Sequence, residues 1–255
     1  MSDRRRRRRA SRPRVEVREG RHGRELIVDG TFASLYVPGR VASGPVWDAL
    51  AAPILALPPG RRRSVLVLGL GGGSAARLVR GLAPSARIVG VELDPEVVSA
   101  ARRWFDLDAL GIEVEIADAR AFLSRDHRRF DVVLEDVFVG SGDAVHKPRW
   151  MCGEGLVLAA RRVARGGLLV SNALDEARHV RRVLQSLYAS VVRIDVEDYD
   201  NRIFVGGPAT LRAATLRAAL AATPELSSSL SQLSLRTLPA AAPRSAERGN
   251  PTRPD

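Results

Sequence analysis

Three glycines and four carboxylates, in a fixed order, are the residues of this chain best suited to chemistry. The run S-V-L-V-L-G-L-G-G-G-S at residues 64–74 is an apolar, β-branched segment feeding a glycine-rich turn, and Glu92 follows nineteen residues after Gly73 in I-V-G-V-E-L-D. Glycine lets a backbone turn sharply and approach a ligand that side chains would block. Gly69, Gly71 and Gly73 therefore form a candidate cradle for a nucleotide. Glu92, at the tip of the next expected strand, is placed to accept hydrogen bonds from both hydroxyls of a ribose. Asp118, beside Ala119 in I-A-D-A-R, is placed to accept one from an adenine amino group. Glu135 and Asp136 end the segment F-D-V-V-L-E-D, where carboxylates would project into the same site. The set implies an adenosine-type cofactor, with Asp136 as the candidate base and Glu135 as the second choice. Each residue also has a structural use, because glycine turns permit tight packing and acids favour helix N-termini.

Positioning these groups requires alternating strands and helices. Strands are predicted near 64–69, 87–92, 112–116, 130–135 and 167–172, with helical patterns near 73–83, 94–104, 118–125, 154–165 and 175–189. Such alternation implies a mostly parallel sheet covered by helices on both faces. Upstream, residues 14–37 alternate as a short β-meander with turns at Gly20 to Gly23 and at Asp29-Gly30, and Pro45 to Leu57 reads as a helix. Downstream, V-V-R-I-D-V-E-D-Y and R-I-F-V-G-G are separated by Asp200 and Asn201, a hairpin signal. Thr210 to Ala222 reads as one more helix, and the Ser-, Ala- and Pro-rich residues after Thr223 read as a disordered tail. The expected fold is an α/β, class I methyltransferase-like (Rossmann-like), mostly parallel seven-stranded sheet with an antiparallel terminal hairpin, preceded by the small β-meander. The expected divisions are an Arg-rich arm at 1–13, a β extension plus helix at 14–60, the nucleotide-binding domain at 61–208, and a helix and tail at 209–255.

The formal charge of +11 over 255 residues resembles a nucleic-acid signal until it is located. Arg4 to Arg9, Arg12 and Arg14 against Asp3 leave residues 1–14 at +7, residues 231–255 hold +2, and the long middle holds only +2. A nearly neutral core is no phosphate-binding surface. Nucleic acid is therefore expected as a partner only through the arginine arm, which reads as a solvated polyelectrolyte. No apolar stretch follows the arginines, which argues against a secretory or twin-arginine leader, and no run is long enough to span a bilayer. Cys152 is the lone cysteine, which fits a reducing cytoplasm. The four histidines lack metal-ligand spacing, so no metal is expected.

The ordered acids and the preceding meander resemble the spermidine synthase (polyamine aminopropyltransferase) family over residues 14–206. E-L-I-V-D-G-T-F-A-S is similar to the turn of that family's N-terminal β domain, and G-L-G-G-G-S to its glycine motif. The resemblance implies that Glu92 binds ribose, Asp118 contacts adenine, Asp136 is the catalytic acid-base group, and residues 137–150 form a loop closing over the substrates. Asp48 and Glu135 are expected to help hold a cationic acceptor. It also implies a homodimer, an amine or other small nucleophile as acceptor, and S-adenosylmethionine or its decarboxylated form as co-substrate. Three departures stand out. Gly72 replaces a glycine-loop Asp, Val139 replaces the second Asp of D-x-x-D, and Val46-Trp47-Asp48 replaces Tyr-x-Glu. An ammonium needs carboxylate partners once water is excluded, so these losses argue against putrescine bound in the usual way. The expected function is aminopropyl transfer to an amine. A methyltransferase acting on a small substrate and a non-catalytic nucleotide-binding scaffold are the alternatives. A nicotinamide oxidoreductase ranks lower, because Ser74 stands where the third glycine of G-x-G-x-x-G would be.

Overall fold

The computed structural model describes residues 14–239. The expected arginine arm, with its suggested nucleic-acid contact, lies outside them. Strands β1 (Val15–Gly20), β2 (Gly23–Val28) and β3 (Thr31–Tyr36) form an antiparallel meander, as their alternation predicts. Helix α1 (Pro45–Ala51) follows and tightens into a 3-10 turn at Ala52–Ala56, because Pro53 lacks an N–H and disfavours the α conformation before it. The single helix expected over 45–57 is thus two pieces.

The main body alternates β4 (Ser64–Leu68), α2 (Ser74–Leu82), β5 (Arg87–Glu92), α3 (Pro95–Trp104), β6 (Glu113–Ile116), α4 (Ala119–Arg125) and β7 (Phe130–Glu135). Then come a π-turn at Met151–Gly155, α5 (Leu156–Arg161), β8 (Val163–Ala173), α6 (Ala177–Leu187), β9 (Ser190–Val196) and β10 (Arg202–Gly207). The chain continues through α7 (Ala213–Ala221), α8 (Ser227–Leu230) and β11 (Leu233–Thr237). The sheet order is β11-β9-β10-β8-β7-β4-β5-β6, with β10 antiparallel to both neighbours and β11 antiparallel to β9. Strand order reverses beside β4, where β5 lies on one side and β7 on the other. Ligands of open α/β sheets bind at the carboxyl ends of the strands flanking such a point.

Period-two alternation divides the core into two layers. On β4, Val65 and Val67 pack with Leu50, Leu78 and Leu216 from α1, α2 and α7. Leu66 and Leu68 pack with Phe122, Leu156 and Leu184 from α4, α5 and α6. Each such side chain is essentially fully buried, contributing about 1.5–3 kcal/mol by leaving water.

Two expectations need correction. The hairpin connection is not a two-residue turn at Asp200-Asn201. Register places Arg202 opposite Asp195, so residues 196–201 intervene, with Asp198 at φ 62°. Nor is the segment just after Thr223 a disordered tail, because Leu226 and Leu233 are buried and β11 extends the sheet to eight strands. Serine-rich composition hid leucines spaced to pack on α7 and β9.

Candidate active site

The glycine turn is held by its neighbours from three directions. The N–H groups of Gly69 and Leu70 donate to the Val91 carbonyl at 3.0 and 3.1 Å, tying the turn to the end of β5. Gly69 has φ 80°, and a Cβ there would lie 2.4 Å from the Asp136 carbonyl oxygen, so the turn and the candidate base share one backbone contact. Gly71 and Gly73 also have positive φ, 53° and 87°. From above, β3 docks on the turn. Ser74 Oγ donates to the Leu35 carbonyl and accepts from its N–H, while Gly72 N–H donates to Ser34 Oγ at 2.7 Å. Ser74, read from the sequence only as a missing glycine, is the hydroxyl that fastens the meander to the turn.

Glu92 accepts the Gly71 N–H at 2.9 Å on Oε2 and the Leu93 and Asp94 N–H groups at 2.8 and 3.2 Å on Oε1. Burial raises its pKa, while these three N–H groups oppose the shift. A carboxylate offers about four acceptor positions, and these three N–H groups take three of them on Glu92. Asp118 is exposed and caps α4, accepting the Ala121 N–H on Oδ1 at 2.9 Å. The cap leaves Oδ2 open beside buried Ala119. Capping and ligand contact are thus compatible.

At the end of β7, alternation sends the two acids to opposite faces. Asp136 meets Asn172 of β8, whose Nδ2 donates to Oδ1 at 2.8 Å, and Asn201 Nδ2 in turn donates to Asn172 Oδ1 at 3.0 Å. Asp136 Oδ2 has no donor among the described residues. Burial pushes the Asp136 pKa up to about 6, against the opposing pull of the Asn172 amide and the Lys147 charge. Such a value suits a general base near neutral pH.

Glu135 corrects the sequence expectation. Instead of projecting into the site, it is fully buried against Lys147, whose Nζ lies 2.6 and 2.8 Å from its two oxygens. Ser171 Oγ and the Val137 N–H supply two further donors, so its acceptor capacity is full. Asp48 likewise lies inside the protein, 0% exposed, taking the Ser43 N–H on Oδ1 and Ser229 Oγ on Oδ2. Burial raises its pKa. Its oxygens are spent on joining α1 to α8, and it is not available to an acceptor. Lys147, Asn172, Asn201 and Ser34 were missed by the sequence reading. Lys147 had a usable signal, being the only lysine beside thirty-nine arginines.

Residues 137–150 arch over this end of the sheet. Val139 and His146 pair through both backbone hydrogen bonds, and the Gly142 N–H donates to the Asp29 carbonyl in the β2–β3 turn at 3.1 Å. Lys147 Nζ also sits 4.5 Å from the centre of the Phe138 ring. A concavity of about 590 Å³ between β1 and α3 is lined by Val15, Val17, Arg24 and Trp104 and includes none of these groups. Among the described residues no cluster of His, Cys, Asp and Glu could hold a metal, and no helix is long and apolar enough to cross a membrane.

Residues 65–146 match the methyltransferase domain family. The chain is 39% identical over 90 residues to a probable polyamine aminopropyl transferase of Bifidobacterium longum, a match spanning 35% of this chain and 19% of that protein. A probable spermidine synthase structure from Corynebacterium glutamicum superposes with a TM-score of 0.71 at 22% identity, covering 88% of this chain and 87% of that one. The chain has the class I methyltransferase-like fold and is similar to spermidine synthases. It is also 39% identical over 79 residues to the eEF1A lysine and N-terminal methyltransferase of Danio rerio, covering 29% of this chain and 11% of that protein. The matches thus span a fifth or less of these two curated relatives.

The glycine loop carries a testable consequence of this similarity. A Cβ at Gly72 would lie 2.8 Å from Ser34 Cβ and 3.0 Å from a Phe105 ring carbon. Gly72→Asp is therefore expected to lower stability by about 1–3 kcal/mol through overpacking, measurable by urea denaturation, and not to restore the missing acid.

Proposed function

We propose that the protein transfers the aminopropyl group of decarboxylated S-adenosylmethionine to an amine. The observation that carries this reading is Asp136, fixed by Asn172 through one oxygen, open at the other, and with a pKa near 6. The acceptor must be a neutral amine for its nitrogen lone pair to attack. That nitrogen bonds to the propyl carbon on sulfur, the C–S bond breaks with its electron pair going to sulfur, and methylthioadenosine leaves. Asp136 Oδ2 takes the proton that the new secondary ammonium sheds. Gly69, Gly71 and Gly73 would cradle the co-substrate, Glu92 and Asp118 with Ala119 would hold its ribose and adenine, and residues 137–150 would exclude water. Holding nitrogen, carbon and sulfur in line supplies much of the acceleration. A homodimer in a cytoplasmic setting belongs to the same reading, supported by the family resemblance and the single cysteine.

A second reading, methyl transfer from intact S-adenosylmethionine, is favoured by Gly72. Ser34 and Phe105 fill the space of an acid there, which removes the partner for an aminopropyl ammonium. Calorimetry with S-adenosylmethionine, its decarboxylated form and methylthioadenosine separates the two. Aminopropyl transfer predicts preference for the latter pair. Asp118→Ala is expected to weaken binding tenfold or more while costing about 1 kcal/mol of stability through the lost cap. Preference for the intact form selects methyl transfer, and binding of none of the three removes both readings.

A further inference from the structure

A row of three side chains crosses from the start of β10 to the end of β7. In the antiparallel register of β8 and β10, Asn172 lies opposite Ile203, so Asn201, two residues earlier, falls on the same face as a diagonal neighbour of Asn172. In the parallel register of β7 and β8, Glu135 lies opposite Ser171, which brings Asp136, the next residue, beside Asn172. Asn201 Nδ2 donates to Asn172 Oδ1 at 3.0 Å, and Asn172 Nδ2 donates to Asp136 Oδ1 at 2.8 Å. We infer that Asn201 is a positioning residue: through the Asn172 amide it holds the Asp136 carboxylate in its proton-accepting form. The role of Asp136 as base rests on the aminopropyl-transfer reading above.

An amide has two ends of similar size and opposite chemistry, a carbonyl that accepts and an NH2 that donates. Asn172 is buried, so its neighbours rather than bulk water decide which end faces which way. An ionised carboxylate only accepts. Asp136 therefore takes the NH2 end, and Asn172 Oδ1 is turned toward Asn201, where a donor fits. An acceptor at that position would oppose the arrangement. Asn172 could then satisfy it only by turning its carbonyl on Asp136, and a carboxyl group facing a carbonyl needs its proton. The charges that act on Asp136 are Lys147, from residues 137–150, and the adjacent Glu135. On the β9–β10 connection, Glu197, Asp198 and Asp200 are exposed to solvent, and Arg202 donates to the Asp200 carbonyl. A change at Asn201 leaves all of these charges in place.

The test is a carboxyl-carbon NMR titration of the full chain, with the Asp136 resonance assigned from its loss in Asp136→Asn. In Asn201→Asp the Asp136 midpoint is expected to rise by about one pH unit or more. Asn201→Ala, which removes the donor without adding a charge, is expected to raise it by less. An unchanged midpoint in Asn201→Asp overturns the proposal, as does one in Asn201→Ala should the first variant fail to fold. A new charge alone would also lift the midpoint, so Asn201→Asp is repeated together with Asn172→Ala, where the rise should fall by about half or more. A rise of full size in that background overturns the relay. Turnover is followed in parallel with decarboxylated S-adenosylmethionine and 1,4-diaminobutane, and the low-pH limb of kcat/KM is expected to move with the midpoint. A moved midpoint with an unmoved limb supports the relay and removes Asp136 as the base. Absence of turnover counts against the transfer reading alone, since the titration decides the relay without it.

Discussion

Asp136→Asn is expected to lower kcat by 10²–10⁴-fold, the range for a lost general base, while making the protein more stable. The two effects share one cause. Burial raises the carboxyl pKa from 3.8 to about 6, so the folded state holds this proton more tightly than the unfolded chain does. Stability from this group is therefore greatest at low pH and declines as pH rises between those values. Above pH 6 the ionised carboxylate costs about 1–3 kcal/mol, from the linkage between pKa shift and free energy. An asparagine keeps the acceptor for Asn172 Nδ2 and carries no charge, so it removes that cost. Urea unfolding at pH 8 should show the gain, and turnover should show the loss. In the wild type, kcat/KM should rise with pH through about 6 as the base ionises. A variant that retains turnover would remove Asp136 from the chemistry.

Lys147→Met should have the largest effect on stability. It leaves Glu135 buried with Ser171 and one N–H but no counter-charge, and breaking a buried pair from one side costs about 3–5 kcal/mol. That is a large fraction of the 5–15 kcal/mol typical of a domain. Adding Glu135→Gln should recover most of it, because the neutral pair leaves no buried charge. A double-mutant cycle in urea measures the coupling. Additive losses would mean that the pair is not the anchor of residues 137–150 that its geometry indicates.

Much of the fold was legible because its signals are local. V-L-V-L on β4 and the acids closing β5 and β7 depend on period-two alternation and on turns of a few residues, and the predicted strands β4 to β7 fall within one position of expectation, whereas β8 begins earlier, at Val163. The failures lie where distant segments meet. Leucines at 226 and 233 are meaningful only against α7 and β9. Glu135 and Asp136 are neighbours in sequence with the same chemistry, and only the pairing of β7 with β8 sorts them, one to Ser171 and the other to Asn172. Asp48 looked like a surviving substrate acid because its partner Ser229 lies 181 residues away.

That last separation also orders events during synthesis. Asp48 is emplaced in α1 early, but the hydroxyl that satisfies its second oxygen belongs to a helix made 181 residues later. At 5–20 residues per second the interval is roughly 10–40 s. Throughout it the nascent chain carries a carboxylate on a helix whose other side chains seek burial, with β9 still lacking its outer neighbour β11. The amino-terminal helix has β4 and α2 to pack on as the chain emerges, but its buried acid gains its second partner only when the carboxy-terminal segment arrives.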